Sequence, residues 1–267
     1  MLPYQYGREL LNYHKMEFSL LYPYFNDTPL ALKAHFSYNM LMANTPVDKV
    51  GRRNTFIIFI CTLLVFGVLI WIFLRPFIRA ETDRKYRTLD GIPTPAQFST
   101  TGKTDLQGDD WSGMAVHRAK YTIWGLVINN TPYDGGSLYD KISPLDIGLA
   151  WGDMAKNNHL VKWTHGTRHV TASINALYKF FIPKDNSILF RQYSNNHLVF
   201  TNTELLEKAR SLQLGDYVRI KGYLVDITAH RKKEPAIKYD FKTSLTREDE
   251  GEDSCEVLLV TRIDVLD

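Results

Sequence analysis

Residues 56–74, FIIFICTLLVFGVLIWIFL, show no alternation and no helical period, because the apolar positions are continuous and nineteen residues in a row carry no charge. With a rise of ~1.5 Å per residue, a helix of that length covers about 28 Å, the hydrocarbon thickness of a bilayer. A helix buried in a soluble domain shows a polar face at period 3.6, and a cleaved signal peptide is shorter and starts nearer the N-terminus. The run therefore predicts a transmembrane helix within residues 55–78. Arg52 and Arg53 bound it on one side and Arg75 on the other, and Trp71 stands where an indole meets headgroups.

Downstream the pattern changes to period two. AVHRAKYTIWGLVINN alternates and is rich in β-branched and aromatic residues, IGLAWG, ALYKFFI and SILFRQY are shorter strand candidates, and YVRIKGYLVDI, KYDFKTSLT and CEVLLVTRIDVL supply three more. TNTELLEKARSLQ predicts the one clear helix, capped by Thr201 or Thr203, with Leu205, Leu206, Ala209 and Leu212 as its apolar stripe. Several strands, one helix and three further strands, the last two joined by the acidic turn REDEGEDS, fit a small antiparallel barrel of OB-like type over residues 114–267, with a β-sandwich or an α+β sheet as the alternatives. Gly222 is placed to let its strand bend.

The remaining segments read differently. Residues 79–113 are polar, contain Pro93 and Pro95, have no sustained period, and are expected to run as an extended linker. The arm of residues 1–54 is broken by prolines but holds nine aromatics, too many for an ordinary disordered tail. Short helices around ELLNYHKMEFSLLY and LALKAHFSYNMLMA are expected there. Aromatic- and methionine-rich surface suits a partner interface, so Tyr22, Tyr24, Phe25 and Phe36 are assigned to partner contact, with an interfacial helix lying on lipid, or packing on the chain itself, as the alternatives.

Composition narrows the class without naming an activity. The chain has 267 residues, 45% hydrophobic and 23% charged, which is enough apolar material for a packed core. A net charge of +3 argues against a nucleic-acid coat, and two cysteines, one inside the apolar run, do not make a disulfide framework. Arg75, Arg79, Arg84, Lys85 and Arg87 follow the span, against Lys49, Arg52 and Arg53 before it, but large domains escape the positive-inside count. A signal-anchor plan, N-terminus cytoplasmic and C-terminal domain periplasmic, is the expected orientation.

Ser194-Asn195-Asn196-His197-Leu198, Gly215-Asp216-Tyr217-Val218 with Gly222-Tyr223-Leu224-Val225, Thr243-Ser244-Leu245-Thr246-Arg247 and Cys255-Glu256 form an ordered series. With the stretch from Asp146 to Trp151-Gly152, it resembles a family of bacterial single-pass membrane-anchored domains without an assigned activity. The resemblance covers about residues 120–267 and implies an inner-membrane protein with an extracytoplasmic or membrane-proximal domain; it carries over no catalytic role.

Ser194 to His197 read as a polar corner after a strand. The alternative makes His197 a general base for Cys255, with Asp216, Asp249 or Glu256 orienting the ring. His165 and His169 are spaced to share a metal on a helix, with His159 as a supplement, but Gly166 and VTASI point to a turn or strand. REDEGEDS carries five carboxylates in eight residues without the alternating order of a calcium loop. The expected function is that of a structural or accessory subunit of a larger membrane complex, not an enzyme. Its expected partners are other integral membrane proteins and the lipid bilayer, with no nucleic acid, no metal and no cofactor. Trp151, His197 and Arg247 are the expected contact residues on the β domain. A membrane-anchored Cys/His hydrolase and an envelope ligand-binding module are the alternatives.

Overall fold

The structure, a computed structural model, describes residues 49–176, 189–236, 238–246 and 255–266. The described residues are mainly β, and one helix among them is long and apolar enough to cross a membrane. Tyr22, Tyr24, Phe25, Phe36, Arg247 and Asp249 lie outside the described residues.

Helix α1 (Lys49–Thr82) contains the candidate span Phe56–Arg79. Its lipid-type side chains, Phe56 to Ile72, stand open to the surroundings, as an apolar helix requires when lipid is its solvent. Near its C-terminal end this changes. Phe73 and Phe77 pack against an apolar cluster of the β domain.

Residues 79–113 do not form the expected extended linker. A 3-10 turn (Arg84–Tyr86) follows α1, Ile92 is buried in the main core, and β1 (Ala96–Ser99) and β2 (Lys103–Gln107) both pair antiparallel with β3 (Trp111–Pro132). The segment reads as polar because its two strands are short and mostly exposed; Leu89, Ile92 and Leu106 are the anchors that fix it.

The remaining strands are β4 (Leu145–Ala150), β5 (Val161–Gly166), β6 (His169–Ile174), β7 (Tyr193–Val199), β8 (Tyr217–Arg231), β9 (Lys238–Phe241) and β10 (Glu256–Leu266). Short helices α2 (Leu138–Ile142) and α3 (Gly152–Lys156) flank β4, and α4 (Thr203–Arg210) follows β7. Asn202, rather than a threonine, caps α4 by accepting the Glu204 N–H. β3 pairs with β4, β4 with β7, β7 with β10, β10 with β8, and β8 again with β3. These strands close a ring, with β7 and β10 its parallel pair. β9 pairs with β8 rather than with β10, so the last two strands do not form the expected hairpin.

Two of the sequence expectations shift at β7. Among the described residues of SILFRQY, Leu189 and Phe190 are helical, and the strand starts at Tyr193. The supposed corner Ser194 to His197 is the middle of that strand, and all four residues are buried.

Strand alternation explains where the core sits. Val218, Ile220 and Leu224 of β8 face the ring interior, while Val225, Ile227 and Ala229 face outward onto a second cluster with Leu106, Leu138 and Phe241. Opposite them, a bulge between His117 and Ala119 in β3 adds one residue. That single insertion moves the odd-numbered positions from the outer face (Ala115) to the interior (Tyr121, Ile123). Ala209 and Leu212, in α4 and just beyond it, join the interior cluster, and Asn130 donates to the carbonyls of Ala209 and Leu212 that end the helix.

The turn after α1 is seated on the ring through Gly215. Its φ is +89°, and a Cβ there would stand 1.7 Å from the Arg84 carbonyl oxygen. Gly215→Ala is expected to lower stability by more than about 2 kcal/mol, through left-handed strain and forced separation of the turn from the barrel. Thermal unfolding of the full chain in detergent checks this.

Candidate functional site

The densest polar cluster lies on the outer face of β4 and β7. Asp146 on β4 is opposite His197 on β7, and Asn195 precedes His197 by two, so alternation puts all three side chains on one face. Asp146 is fully buried. An isolated carboxylate in that position would be strongly unfavourable unless its lone pairs are met.

Four donors meet them. On Oδ1, His197 Nδ1–H donates at 2.8 Å and Arg168 Nη1 at 3.0 Å. On Oδ2, the Tyr133 hydroxyl donates at 3.2 Å and Asn195 Nδ2 at 3.0 Å. The bond to a carboxylate places the ring proton of His197 on Nδ1.

Arg168 is the centre of this arrangement and comes from far along the chain. It occupies the tip of the β5–β6 hairpin with φ of 64°, a left-handed conformation uncommon for a non-glycine residue. Its own N–H donates to the Tyr133 hydroxyl and its carbonyl accepts from Asn195, so the strained backbone is held on both sides. The guanidinium reaches Asp140 Oδ1 at 2.6 Å and the Ser143 carbonyl at 2.8 Å. It lies 3.6 Å from the ring centroid of Tyr133 and 4.2 Å from that of Tyr139. Planar stacking and a forked donor set are properties of arginine that lysine lacks. Tyr139 is closed off in turn by Phe241, at 4.3 Å between centroids, and has His197 edge-on at 6.0 Å.

The environment shifts the neighbouring acids. Burial pushes the Tyr139 and Tyr133 hydroxyls upward, and the Asp146 charge adds to both, so both stay protonated. For Asp140, burial opposes ionisation, but hydrogen bonds from Ser137 and Arg168 outweigh it and hold the carboxyl below its ordinary value.

The residues expected from sequence divide accordingly. His197 is 5% exposed and Trp151 2% exposed, so neither presents a surface to a partner: His197 is committed to Asp146, and Trp151 belongs to the interior core. Cys255 directly precedes β10, half-buried, with its thiol 3.9 Å from the Arg168 carbonyl oxygen. Glu256 pairs with Asn196, so its side chain is on the opposite face from His197, and Asp216 is engaged by Arg84 at 2.5 Å and by the Gln213 N–H. Neither orients the histidine; Asp146 does. Gly166 pairs with His169 and His165 with Val170, which puts the two histidines on opposite hairpin faces, where they do not converge on a metal. Asp146, Arg168, Tyr133 and Asn195 escape a search by spacing, because they are brought together from four separate segments.

A shallow cavity of ≈ 340 Å³ opens elsewhere, lined by Pro95, Gln97, Tyr121, Trp151, Arg191 and Gln192.

The polar cluster therefore acts as a pin, fastening the β5–β6 hairpin and α2 to the ring. Arg168→Ala leaves two acidic groups without their cation and is expected to cost about 3 to 5 kcal/mol, read as a drop in the denaturation midpoint. The Asp140 contribution is present above the ordinary carboxylate value of 3.8 and is lost as pH falls through its lowered pKa. Denaturation midpoints taken from about pH 5 down to about pH 2 should fall in the wild-type chain and fall less steeply in Arg168→Ala. No family model, curated protein or solved structure matches the chain.

Proposed function

We propose that this chain is a single-pass protein of a bacterial inner membrane, an accessory subunit that places an OB-like barrel directly at the membrane surface. Numbered along the chain, the ring strands run 1-2-3-5-4 and back to 1, with a helix after the third, which supports the OB reading. The resemblance to membrane-anchored domains without an assigned activity agrees with it.

One observation carries the functional reading. OB barrels take oligonucleotides and sugars on the outer face of their second and third strands, with the loops after strands one and four. Here that face is β4 and β7, and it is filled by the chain's own Arg168, with Tyr139 of α2 and Phe241 of β9 over it. A barrel whose ligand face is occupied by its own side chains suits scaffolding. The helix and aromatic arm would bury apolar surface against neighbouring subunits, while barrel loops meet a second partner.

Two other readings each rest on one observation. Cys255 stands just before β10, the strand that pairs with β7 at His197, and Asp146 is on the histidine, which is the residue set of a Cys/His hydrolase. The cavity beside Trp151 is of a size for a small ligand.

Deleting residues 1–48 is expected to abolish co-purification of membrane subunits in mild detergent while leaving the chain in the membrane. An unchanged set of co-purifying proteins overturns the docking role. Retained cellular function in Cys255→Ser removes the hydrolase.

A further inference from the structure

The end of α1 carries a concentration of positive charge that the fold does not neutralise. Residues 75–87 hold Arg75, Arg79, Arg84, Lys85 and Arg87 against Glu81 and Asp83. Arg84 is engaged by Asp216, and Arg79 pairs with Asp83 at 3.2 Å. Arg75, Lys85 and Arg87 have no carboxylate within 4.0 Å among the described residues.

Arg75, Arg79 and Lys85 are held against aromatic rings. The Arg75 guanidinium lies 5.3 Å from the Trp71 ring centroid, and Arg79 and Lys85 each lie 4.8 Å from that of Tyr86. Asp83 caps the turn by accepting the Lys85 N–H. From the domain, Asn158, 2% exposed, donates to the carbonyls of Lys85 at 2.7 Å and Arg87 at 3.4 Å, and is itself fixed by the Trp163 indole N–H at 2.6 Å. A buried side chain of the barrel thus fixes the backbone that presents Lys85 and Arg87. Arg79 and Lys85 meet at the Tyr86 ring, where two like charges repel and a nearby anion relieves that repulsion.

Depth identifies the anion. Arg75 lies in the last turns of the span and Lys85 and Arg87 just beyond it, the level at which an indole and snorkelling cations meet headgroups. Ile78, left exposed between them, is suited to acyl chain. We propose that Arg75, Lys85 and Arg87, with Trp71 and Tyr86, form a binding site for the phosphate of an anionic phospholipid. This rests on the membrane-spanning reading of α1 and gives the barrel a second hold on the bilayer surface.

The test uses the full chain. Alkaline carbonate treatment of membranes comes first: release into the soluble fraction overturns the spanning reading and the lipid site with it. For chain that stays in the membrane, native mass spectrometry counts lipids retained from detergent micelles containing equal phosphatidylglycerol and phosphatidylcholine. Phosphatidylglycerol should be retained preferentially, and the preference should fall about fivefold for each cation removed in Lys85→Gln/Arg87→Gln. Arg75→Gln, on the open helix surface, gives the same reading if the double variant does not fold. Arg118→Gln, a remote cation paired with Asp226, should leave the preference unchanged. Excess inorganic phosphate should displace no lipid. Equal retention of the two lipids by the wild-type chain, an unchanged preference in the folded collar variants, a loss in Arg118→Gln matching theirs, or displacement by inorganic phosphate overturns the proposal.

Discussion

A carboxylate removed from water needs donors, and Asp146 obtains four of them from residues that the chain brings in from both directions. That requirement organises much of the β domain. Tyr133 comes from the start of the loop leaving β3, Asn195 and His197 from β7, and Arg168 from a hairpin that is not part of the ring. Asp140 then takes the other arm of the guanidinium and ties down α2. Replacing such a cluster with apolar residues is often harmless to stability. What it supplies here is placement: the hairpin tip has one position in which the acid, the arginine and the tyrosines are all satisfied.

Apolar packing continues on either side of this pin. On one flank, Leu138 and Ile142 of α2 cover Val199, Val257 and Leu259. On the other, Val161 and Val170 of the hairpin cover Ile128 and Ala150, and the end of α1 joins them. Both outer clusters depend on the β3 bulges that set which side chains point out, since a shift of one residue exchanges the two faces of a strand. β3 can serve the ring and the outer layer because of those insertions.

Local pattern revealed what local physics decides. The span is legible because nothing interrupts its apolar run, and β3, β8 and β10 because their alternation is long. The helix after β7 was legible in its stripe, though its cap fell on Asn202 between the two threonines considered. Polar strands were not legible: Ala96–Ser99 and Lys103–Gln107 carry too few apolar residues to be told from a linker, and Ser194 to His197 resemble a turn until their partners are known. The pin was the least visible feature. Its members lie 22 and 51 residues from Asp146 in the cases of Arg168 and His197, and no periodicity connects a hairpin tip with an acid on another strand. In THGTRH the two histidines fall on opposite hairpin faces, and the arginine between them reaches Asp146 and Asp140.

The close junction between α1 and the barrel has a mechanical consequence. Phe73 and Phe77 are gripped by the outer cluster, and Gly215 seats the following turn, so no slack separates the helix from the β domain. A tethered domain turns independently of its anchor; this one turns with it. Whatever grips the helix therefore also sets the compass bearing of the barrel, and a neighbour that rolled the helix about its axis would sweep each barrel loop around the same arc.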